Sequence, residues 1–291
     1  MSFLKRAIDV TIKLKNGFFK EGGDTFTVTN HRVACSINSP GGESQGNAHV
    51  VIWGLSQDLM NQLTAIGVTN SQNLGNQLIV AAGTIDKDGK RDMAIAYTGT
   101  ISASWADYTN QPDAMLQVVA WGALMQAITP VGASSYEGST AVESIMFDLA
   151  QDAGLTLDNH GVSAQIDNCY LSGSTLDKIQ ALSRAANIKY DIDETNNRLL
   201  IMPIDGNIIG DQPLISPSTG MVGYPAFTQS GIVIKSLYNR HITNNTKIQL
   251  ESSIPAANGE FTAFDVTHTL ESENPSGNGA WFTDFRAFRK A

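Results

Sequence analysis

The hydrophobic period of this chain changes along its length, and this change limits its fold more than any other feature of the sequence. Close to the N-terminus, the segment AIDVTIKLK alternates apolar and polar residues, so that Ile8, Val10, Ile12 and Leu14 share one face. A period of two residues indicates a half-buried β-strand. Similar segments follow as far as about residue 130 and resume at GIVIKSLYN. Both regions are therefore predicted to be mostly strand.

A helical period interrupts the first strand-rich region. In LSQDLMNQLTAIG, the residues Leu59, Leu63 and Ile66 fall on one face of a helix. Ser56 is a suitable N-cap, and Gly67 is a suitable residue just beyond the C-terminus. We predict one inserted helix here, with its apolar face buried.

The middle of the chain has the helical period twice. Thr140 and Glu143 match the T-x-x-E pattern of a capping box, and Gly154 is expected to end the helix that follows. A second helix is expected to begin near Ser174 and to end near Asn187. The segment IKYDIDETNNRLLIMPI then predicts a β-hairpin with its two adjacent asparagines at the tip.

These patterns predict a mainly β fold with a small α+β domain, in which two barrel-like β domains flank or pack with the α+β domain. The predicted domains are a β-barrel-like domain with one inserted helix over residues 1–130, an α+β domain over 131–205 and a second β-barrel-like domain over 206–291. Helices are expected to concentrate in 139–154 and 174–187. The last unit is short for an independent core, so it should pack against the first unit or another subunit.

Charge and composition argue against several functional classes. The chain has 28 acidic and 19 basic residues, a formal net charge of −9, and it lacks the basic stripe that a nucleic-acid-binding protein uses to neutralise phosphates. Its two cysteines form no CxxC motif. Charges interrupt the N-terminal segment, and no run approaches the roughly 18 apolar residues of a membrane span. We therefore expect a soluble protein without a cleaved signal peptide or membrane insertion.

The histidines are the first candidates for chemistry. His268 stands among carboxylates in FTAFDVTHTLES, but strict alternation places it with Phe264, Val266 and Leu270, while the carboxylates point to the opposite face. A packed core or interface histidine is the favoured interpretation. The remaining histidines form no HExxH or related zinc motif: His31, His49, His160 and His241.

Other candidates also have simpler structural explanations. The pairs Asp191/Asp193 and Glu271/Glu273 suggest glycosidase carboxylates, yet each is spaced i, i+2 beside a turn, where solvated acids are common. Neither a P-loop nor a G-x-S-x-G elbow is present. The remaining candidates are two cysteines outside any protease-like context and four tryptophans in strand-like sequence: Cys35, Cys169, Trp53, Trp105, Trp121 and Trp281. We assign no catalytic, cofactor-binding or metal-binding residue and expect no cofactor.

Several segments in order resemble the central baseplate hub proteins of contractile-tailed bacteriophages and the hub portion of type VI secretion spikes. They are VVIWGLSQDLMNQLTAIG, the stretch from LIVAAGTI to WGAL with its acidic loop at Pro112-Asp113, the two-helix segment beginning STAVESIMF, and GMVGYPAFTQSGIVIKSLYN. The closing hairpin resembles the family in a strand histidine followed by an aromatic run, here His268, Trp281, Phe282 and Thr283.

The resemblance implies a structural, non-enzymatic protein. It implies a homotrimeric ring with pseudo-sixfold symmetry in the virion tail baseplate, assembled in the bacterial cytoplasm. The implied partners are a central spike protein, the tail tube or a tube-terminating baseplate protein, and wedge and tape-measure proteins, while DNA passes through the channel without specific binding. A tail-tube or secretion-spike component remains a structural alternative. A tail-tip peptidoglycan hydrolase or metallopeptidase is the alternative of a different class.

Overall fold

The computed structural model of the protein describes residues 4–20, 22–40, 43–64, 75–109, 113–208, 210 and 212–289. The first part of the chain is built mainly from strands. They are β1 (Lys5–Lys13), β2 (Thr25–Val28), β3 (Val33–Ser39), β4 (Asn47–Trp53), β5 (Gln77–Ile85), β6 (Arg91–Asp107) and β7 (Met115–Trp121). Two short helices accompany them, α1 (Gln57–Leu63) and α2 (Leu124–Ile128).

The middle of the chain forms an α+β unit, defined here as residues 134–203. Its strands are β8 (Ser134–Ala141), β9 (Thr156–Asn159), β10 (Gln165–Leu171), β11 (Ile188–Asp193) and β12 (Arg198–Pro203), and its helices are α3 (Val142–Asp152) and α4 (Thr175–Ala186). Strands β8 and β10 pair antiparallel, while β11, β12 and β9 form a second small sheet. Both helices lie within the predicted ranges, and β11 and β12 form the predicted hairpin.

The last part of the chain returns to strands. They are β13 (Leu214–Ile215), β14 (Ala226–Thr228), β15 (Gly231–Leu237), β16 (Lys247–Leu250), β17 (Gly259–Ser272) and β18 (Trp281–Phe288), with a 3₁₀ turn at Pro255–Ala257. The prediction of a mainly β fold with a small α+β region is confirmed.

Within the described residues, thirteen strands from the first and last parts form one sheet, in the order β14-β15-β18-β17-β3-β4-β7-β6-β5-β1-β2, with β16 beside β17 and β13 beside β16. The two parts join where β17 pairs antiparallel with β3, for example His268 opposite Ile37. The last part therefore packs against the first, as its short length predicted.

Side chains also link the first strand to the β17–β18 hairpin. Lys5 Nζ lies 2.5 Å from Glu273 Oε1, and Arg6 Nη1 donates a hydrogen bond to the carbonyl oxygen of Gly279 at 3.0 Å. The Arg6 guanidinium lies 5.7 Å from the centre of the Trp281 ring. These contacts bring β1 towards β17, although β3, β4, β7, β6 and β5 separate the two strands along the sheet.

Three apolar clusters fill the protein. The first includes Val10, Leu63 and Val118 from the first part and takes in Leu270 and Trp281 from the last hairpin. The second is built within the α+β unit, and the third within the last part of the chain. The clusters follow the three predicted regions, but the first and third regions share one sheet, and the division into domains at residues 130 and 205 stays a prediction.

The inserted helix was predicted correctly in position. The Ser56 hydroxyl caps α1 by accepting the Leu59 N–H at 3.3 Å. Leu63 is buried and Leu59 is half-buried against the first cluster, while Ile66 and Gly67 lie outside the described residues. The short helix α2 was not predicted, because the apolar run before it reads as the continuation of β7.

The capping box predicted at Thr140 and Glu143 is wrong. The N-cap of α3 is Ala141, which makes no side-chain capping bond. Thr140 belongs to β8, where it pairs with Ile166. The first N–H of the helix is satisfied by the fold instead, since Val142 N donates to the carbonyl oxygen of Ala164 at 3.0 Å.

A genuine capping box begins α4. The Ser174 hydroxyl accepts the Asp177 N–H at 3.2 Å, and Asp177 Oδ2 accepts the Ser174 N–H at 2.9 Å. At the other end, Asn187 has a positive φ of 51° and forms the C-cap, as predicted. The second helix therefore carries its start and stop signals in its own sequence.

We expect Ser174→Ala to lower the free energy of unfolding by about 0.5–2 kcal/mol, because the Asp177 N–H at the start of α4 loses its acceptor. Thr140→Ala is the matched control, since that hydroxyl caps no helix, and it should cost less. Urea unfolding measures both. An equal or larger loss in Thr140→Ala would contradict the assignment of the two helix starts.

Candidate functional site

The histidines do not meet at one site. His31 lies before β3, where its Nδ1 is 2.9 Å from the Thr29 carbonyl oxygen. His49 on β4 hydrogen-bonds Gln117 Oε1 at 3.1 Å. The others lie elsewhere in the fold, His160 beside Asp158, His241 beside Arg240 and His268 within β17. Within the described ranges, no group of three or more His, Cys, Asp or Glu side chains could hold a metal ion.

His268 is buried and hydrogen-bonded. Its Nδ1 lies 2.9 Å from the hydroxyl oxygen of Thr283, the residue opposite it on β18. Burial lowers the pKa of His268 to about 4, so the imidazole is neutral at pH 7. The ring therefore has a hydroxyl partner and the environment of a packed core histidine.

An aromatic contact that the sequence did not indicate completes this environment. The Tyr238 ring stands edge-on to His268 at 5.2 Å and to Trp281 at 5.5 Å between ring centres. Tyr238 follows β15, and its backbone N–H donates to the carbonyl oxygen of Trp281 at 3.0 Å. The Tyr238 ring therefore lies between Trp281 and His268, although Tyr238 precedes His268 by more than 25 positions in the chain.

A β-bulge changes the predicted face of β17. The pairing with β18 shifts between Phe264 and Thr267, and Asp265 there has a positive φ of 51°. Val266 and His268 remain buried, as does the next apolar residue, but Phe264 is half-buried and its ring contacts Phe288 at 5.6 Å. Strict alternation failed at Phe264 because the inserted residue changes which face the strand presents.

Two carboxylates of the last hairpin form ion pairs with the first part of the chain. Glu271 Oε1 accepts from Arg32 Nε at 3.2 Å and from Arg32 Nη2 at 3.0 Å, and Glu273 pairs with Lys5. In the β11–β12 hairpin, the Asp193 carboxylate accepts a hydrogen bond from Arg198 at 3.1 Å. These three acids are therefore engaged in structural ion pairs.

Asp191 differs from the solvated acid that its sequence context suggested. It is only half-exposed, and burial raises the pKa of Asp191 to about 6. Glu194, in the turn of the same hairpin, has its pKa raised by burial to about 7. No sequence signal indicates these raised pKa values, because both acids occupy a polar hairpin and only the surrounding fold buries them.

Three of the tryptophans and both cysteines have packing roles. Trp281 is buried, Trp53 lies under the Arg32 guanidinium at 4.2 Å, and Trp105 stacks on His49 at 6.4 Å. Trp121, at the end of β7, is 36% exposed. Both cysteines are free and buried. Burial raises the pKa of Cys35 to about 12, which disfavours the nucleophilic thiolate.

A cleft of about 1280 Å³ lies between the sheet and the α+β unit. Residues of both parts line it, including Tyr97 and Tyr238 on the sheet side and Glu194 on the hairpin side. The buried hydroxyl groups of Tyr97 and Tyr238 have no hydrogen-bond partner in the described part of the chain. Polar and apolar side chains both line the cleft.

Comparison with known proteins assigns the family. A family profile described as "Baseplate hub gp41" matches residues 7–276 of the 291 residues. The chain belongs to the baseplate hub gp41 family. Membership of the baseplate hub family gives the chain a structural role in a phage tail baseplate, and the suspected resemblance to hub proteins is confirmed.

Solved structures share the fold of this hub-family chain. A tail protein from Neisseria meningitidis MC58 matches with a TM-score of 0.64 at 9% identity, covering 98% of this chain and 97% of its own. The 43 kDa tail protein of prophage MuSo2 from Shewanella oneidensis matches with a TM-score of 0.61 at 10% identity, covering 97% and 96%. These identities are low enough that the likeness concerns the fold alone.

A third structure comes from a secretion system. It is an Escherichia coli component of the type VI secretion system, described as structurally similar to the phage T4 tail proteins gp27 and gp5. It matches this hub-family chain with a TM-score of 0.58 at 10% identity, covering 96% of this chain and 77% of its own. A comparison with curated protein sequences gives no match.

Among the described helices of this hub-family chain, none is long and apolar enough to cross a membrane.

Proposed function

We propose that the chain is the ring-forming hub of the baseplate, a homotrimer that joins the hexameric tail tube to a trimeric central spike. The family match over residues 7–276 carries this proposal. The continuous sheet supports it, because one subunit presents two β-rich regions with separate apolar clusters, which we propose to be two barrel-like domains. Two such domains in each of three subunits offer six similar surfaces to a hexameric tube.

The proposed partners are a central spike protein and the tail tube or a tube-terminating baseplate protein. Wedge and tape-measure proteins are proposed as further neighbours. The ring acts as an adaptor without enzymatic activity in the virion tail, after assembly in the host cytoplasm. DNA passes through its channel without specific binding, since a chain of net charge −9 disfavours contacts with phosphates.

The sheet edge at β14 supports contact between subunits. β14 ends the sheet order, so within the described strands it pairs on one side only. All three of its residues are exposed, with Phe227 57% exposed, and the nearby Tyr224 is 73% exposed. An unpaired strand edge beside exposed aromatic side chains is a surface that a second chain can cover. We assign it to the neighbouring copy in the trimer.

We expect the purified full-length protein to have a mass near three times 31.2 kDa by light scattering. Phe227→Asp should shift the mass towards the monomer at the same concentration, because it places a charge in the subunit contact. The matched control is Phe147→Asp, which changes a phenylalanine on α3 that is 48% exposed. Thermal unfolding of both variants confirms that they are folded.

Two outcomes would contradict this assignment. A parent protein that stays monomeric over the whole concentration range would reject the homotrimer. A Phe227→Asp protein that remains trimeric would reject the β14 edge as the contact while leaving the trimer in place.

A further inference from the structure

Several polar contacts join the α+β unit to the sheet. Glu194 Oε1 accepts the Ala123 N–H at 2.5 Å, and Lys189 Nζ donates to Asn245 Oδ1 at 3.1 Å. Arg184 on α4 forms an ion pair with Glu43 in the β3–β4 connection. The apolar cluster of the unit is made from its own residues, and the cleft separates much of the unit from the sheet. Polar contacts and an open cleft between the two parts permit their relative motion.

We propose that the Glu194 carboxyl group is a pH-dependent latch that holds the α+β unit on the sheet. This latch goes beyond the proposed hub function and operates within one subunit, so it does not depend on trimer assembly.

The position of Glu194 makes it suitable for this role. It lies in the β11–β12 turn, and its acceptor oxygen meets the chain where β7 turns into α2. The donor residue there, Ala123, has a positive φ of 55°, which an alanine adopts only at some cost. The adjacent Gly122 N–H is held by the Gly46 carbonyl oxygen at 2.8 Å. The carboxyl group therefore binds a fixed N–H donor on the sheet side.

The enclosed carboxyl group is better accommodated when protonated. A protonated carboxyl keeps an acceptor oxygen for the Ala123 N–H and gains an O–H donor. The nearby Tyr97 hydroxyl on β6 is buried without a partner in the described residues. Burial, and secondarily the Glu194 charge, raises the pKa of Tyr97, so the phenol stays neutral beside the carboxyl. Glu194 is half-buried, and when ionised its carboxylate keeps the described hydrogen bond from the Ala123 N–H.

The cations that line the cleft have other partners, since Lys189 donates to Asn245 and Arg240 pairs with Asp92. From α4, Arg184 pairs with Glu43 of the β3–β4 connection. On the hairpin, Arg198 pairs with Asp158 and Asp193. The nearby hairpin acid Asp191 adds negative charge to the same region, and the β6 and β7–α2 sides contribute the neutral groups already described. The described ion pairs therefore include none that would favour the ionised form of Glu194.

The direction of the pH effect follows from this burial. In the docked state the pKa of Glu194 is raised from the usual 4.5 to about 7. A raised pKa means that docking is strongest below pH 4.5, weakens as the pH rises through the interval from 4.5 to about 7, and is weakest above it. Across that interval, the ratio of docked to undocked molecules falls by up to about tenfold per pH unit.

Distances between two spin labels test the latch in the full-length protein. We place one label on the sheet with Lys87→Cys, in the β5–β6 turn, and one on α3 with Gln151→Cys, because both positions are exposed. The native cysteines are buried, and the unsubstituted chain checks that they stay unlabelled. Pulsed electron paramagnetic resonance then records the distribution of distances between the two labels from pH 5 to pH 8.5.

In the doubly labelled parent, we expect one narrow distance at pH 5 and a second population that grows as the pH rises to about 7 and then stays constant. Glu194→Gln mimics the protonated carboxyl and should keep the narrow distance throughout. Glu194→Ala removes the acceptor and should show the second population at every pH. Asp191→Asn is the matched control on the same hairpin, and it should titrate like the parent.

The proposal is overturned by a parent distribution that does not change with pH. It is also overturned if Glu194→Gln titrates like the parent, or if Asp191→Asn alone abolishes the change. Because these distances are measured within one subunit, their outcome is independent of the mass measurement that tests the trimer.

Discussion

Replacing Leu63 with alanine is expected to lower the free energy of unfolding by about 2–5 kcal/mol. The Leu63 side chain is 3% exposed and packs into the first apolar cluster from the last turn of α1. The helix is fixed at this end, because the Leu63 carbonyl oxygen accepts from the Ser104 hydroxyl, and the Thr64 hydroxyl oxygen accepts the Ala106 N–H at 3.0 Å. A helix anchored to β6 cannot move far enough to fill the space, so a cavity remains.

Urea unfolding monitored by tryptophan fluorescence measures this loss. The matched control is Gln57→Ala, an exposed substitution in the first turn of the same helix, which should change the stability by less than about 0.5 kcal/mol. A Leu63→Ala protein as stable as the Gln57→Ala protein would show that α1 is not docked on the sheet.

His268→Ala is expected to cost roughly 2–4 kcal/mol, because it removes buried ring packing against Tyr238 and leaves the Thr283 hydroxyl without this partner. His241→Ala is the control, since that ring is exposed and should be nearly neutral. The mass of the oligomer, thermal stability and bound zinc are measured together. Stoichiometric zinc that disappears in His268→Ala, with fold and mass unchanged, would favour the metallopeptidase alternative.

The same histidine predicts a pH dependence of stability. Burial lowers the pKa of His268 from the usual 6.5 to about 4, so the folded state favours the neutral ring. The contribution of the neutral His268 ring to the free energy of unfolding is therefore fully present above pH 6.5 and is lost as the pH falls towards 4. Lowering the pH from 7.5 to 5 should therefore reduce the free energy of unfolding by on the order of 2 kcal/mol.

His268→Phe isolates this contribution, because the ring remains but cannot titrate. The difference in unfolding free energy between the parent and His268→Phe, measured at both pH values, removes the opposite dependence of Asp191 and Glu194, whose pKa values are raised by burial. A difference that does not change with pH would mean that His268 is exposed enough to protonate in the folded state.

A turbidity assay on cell walls separates the hub from the hydrolase alternative. A structural hub should leave the walls intact at protein concentrations where a lysozyme control clears them. Clearing by the parent that persists after repeated purification would contradict a non-enzymatic role.

Local signals in the sequence predicted much of the fold correctly. The hairpin tip at Asn196–Asn197 was recognisable because asparagine tolerates positive φ, and Asn197 has a φ of 51°. Asn187 was a correct helix end for the same reason, and Ser56 was a correct helix start because its hydroxyl group accepts a hydrogen bond from the first turn. Thr140 was wrong because its motif competes with strand pairing to β10, an interaction with residues more than 20 positions away.

The site was less predictable than the fold. The structural interpretation of His268 followed from alternation alone, but the contact with Tyr238 did not, because the two residues belong to different segments that meet only in the folded sheet. The raised pKa of Glu194 was also beyond sequence reasoning. Its neighbours in the chain are polar, and its burial comes from β6 and from the turn at Ala123.

The sequence by itself determined which segments are strands and helices, because hydrophobic period, caps and turn residues act over a few positions. The order of several segments along the chain also indicated the hub family. Only the tertiary structure decided that β17 pairs with β3, that Lys5 and Arg6 reach the last hairpin, and that a bulge at Asp265 turns Phe264 off the expected face. Strand pairing and burial depend on which distant segments come together, and the alternation of a single strand does not specify its partner.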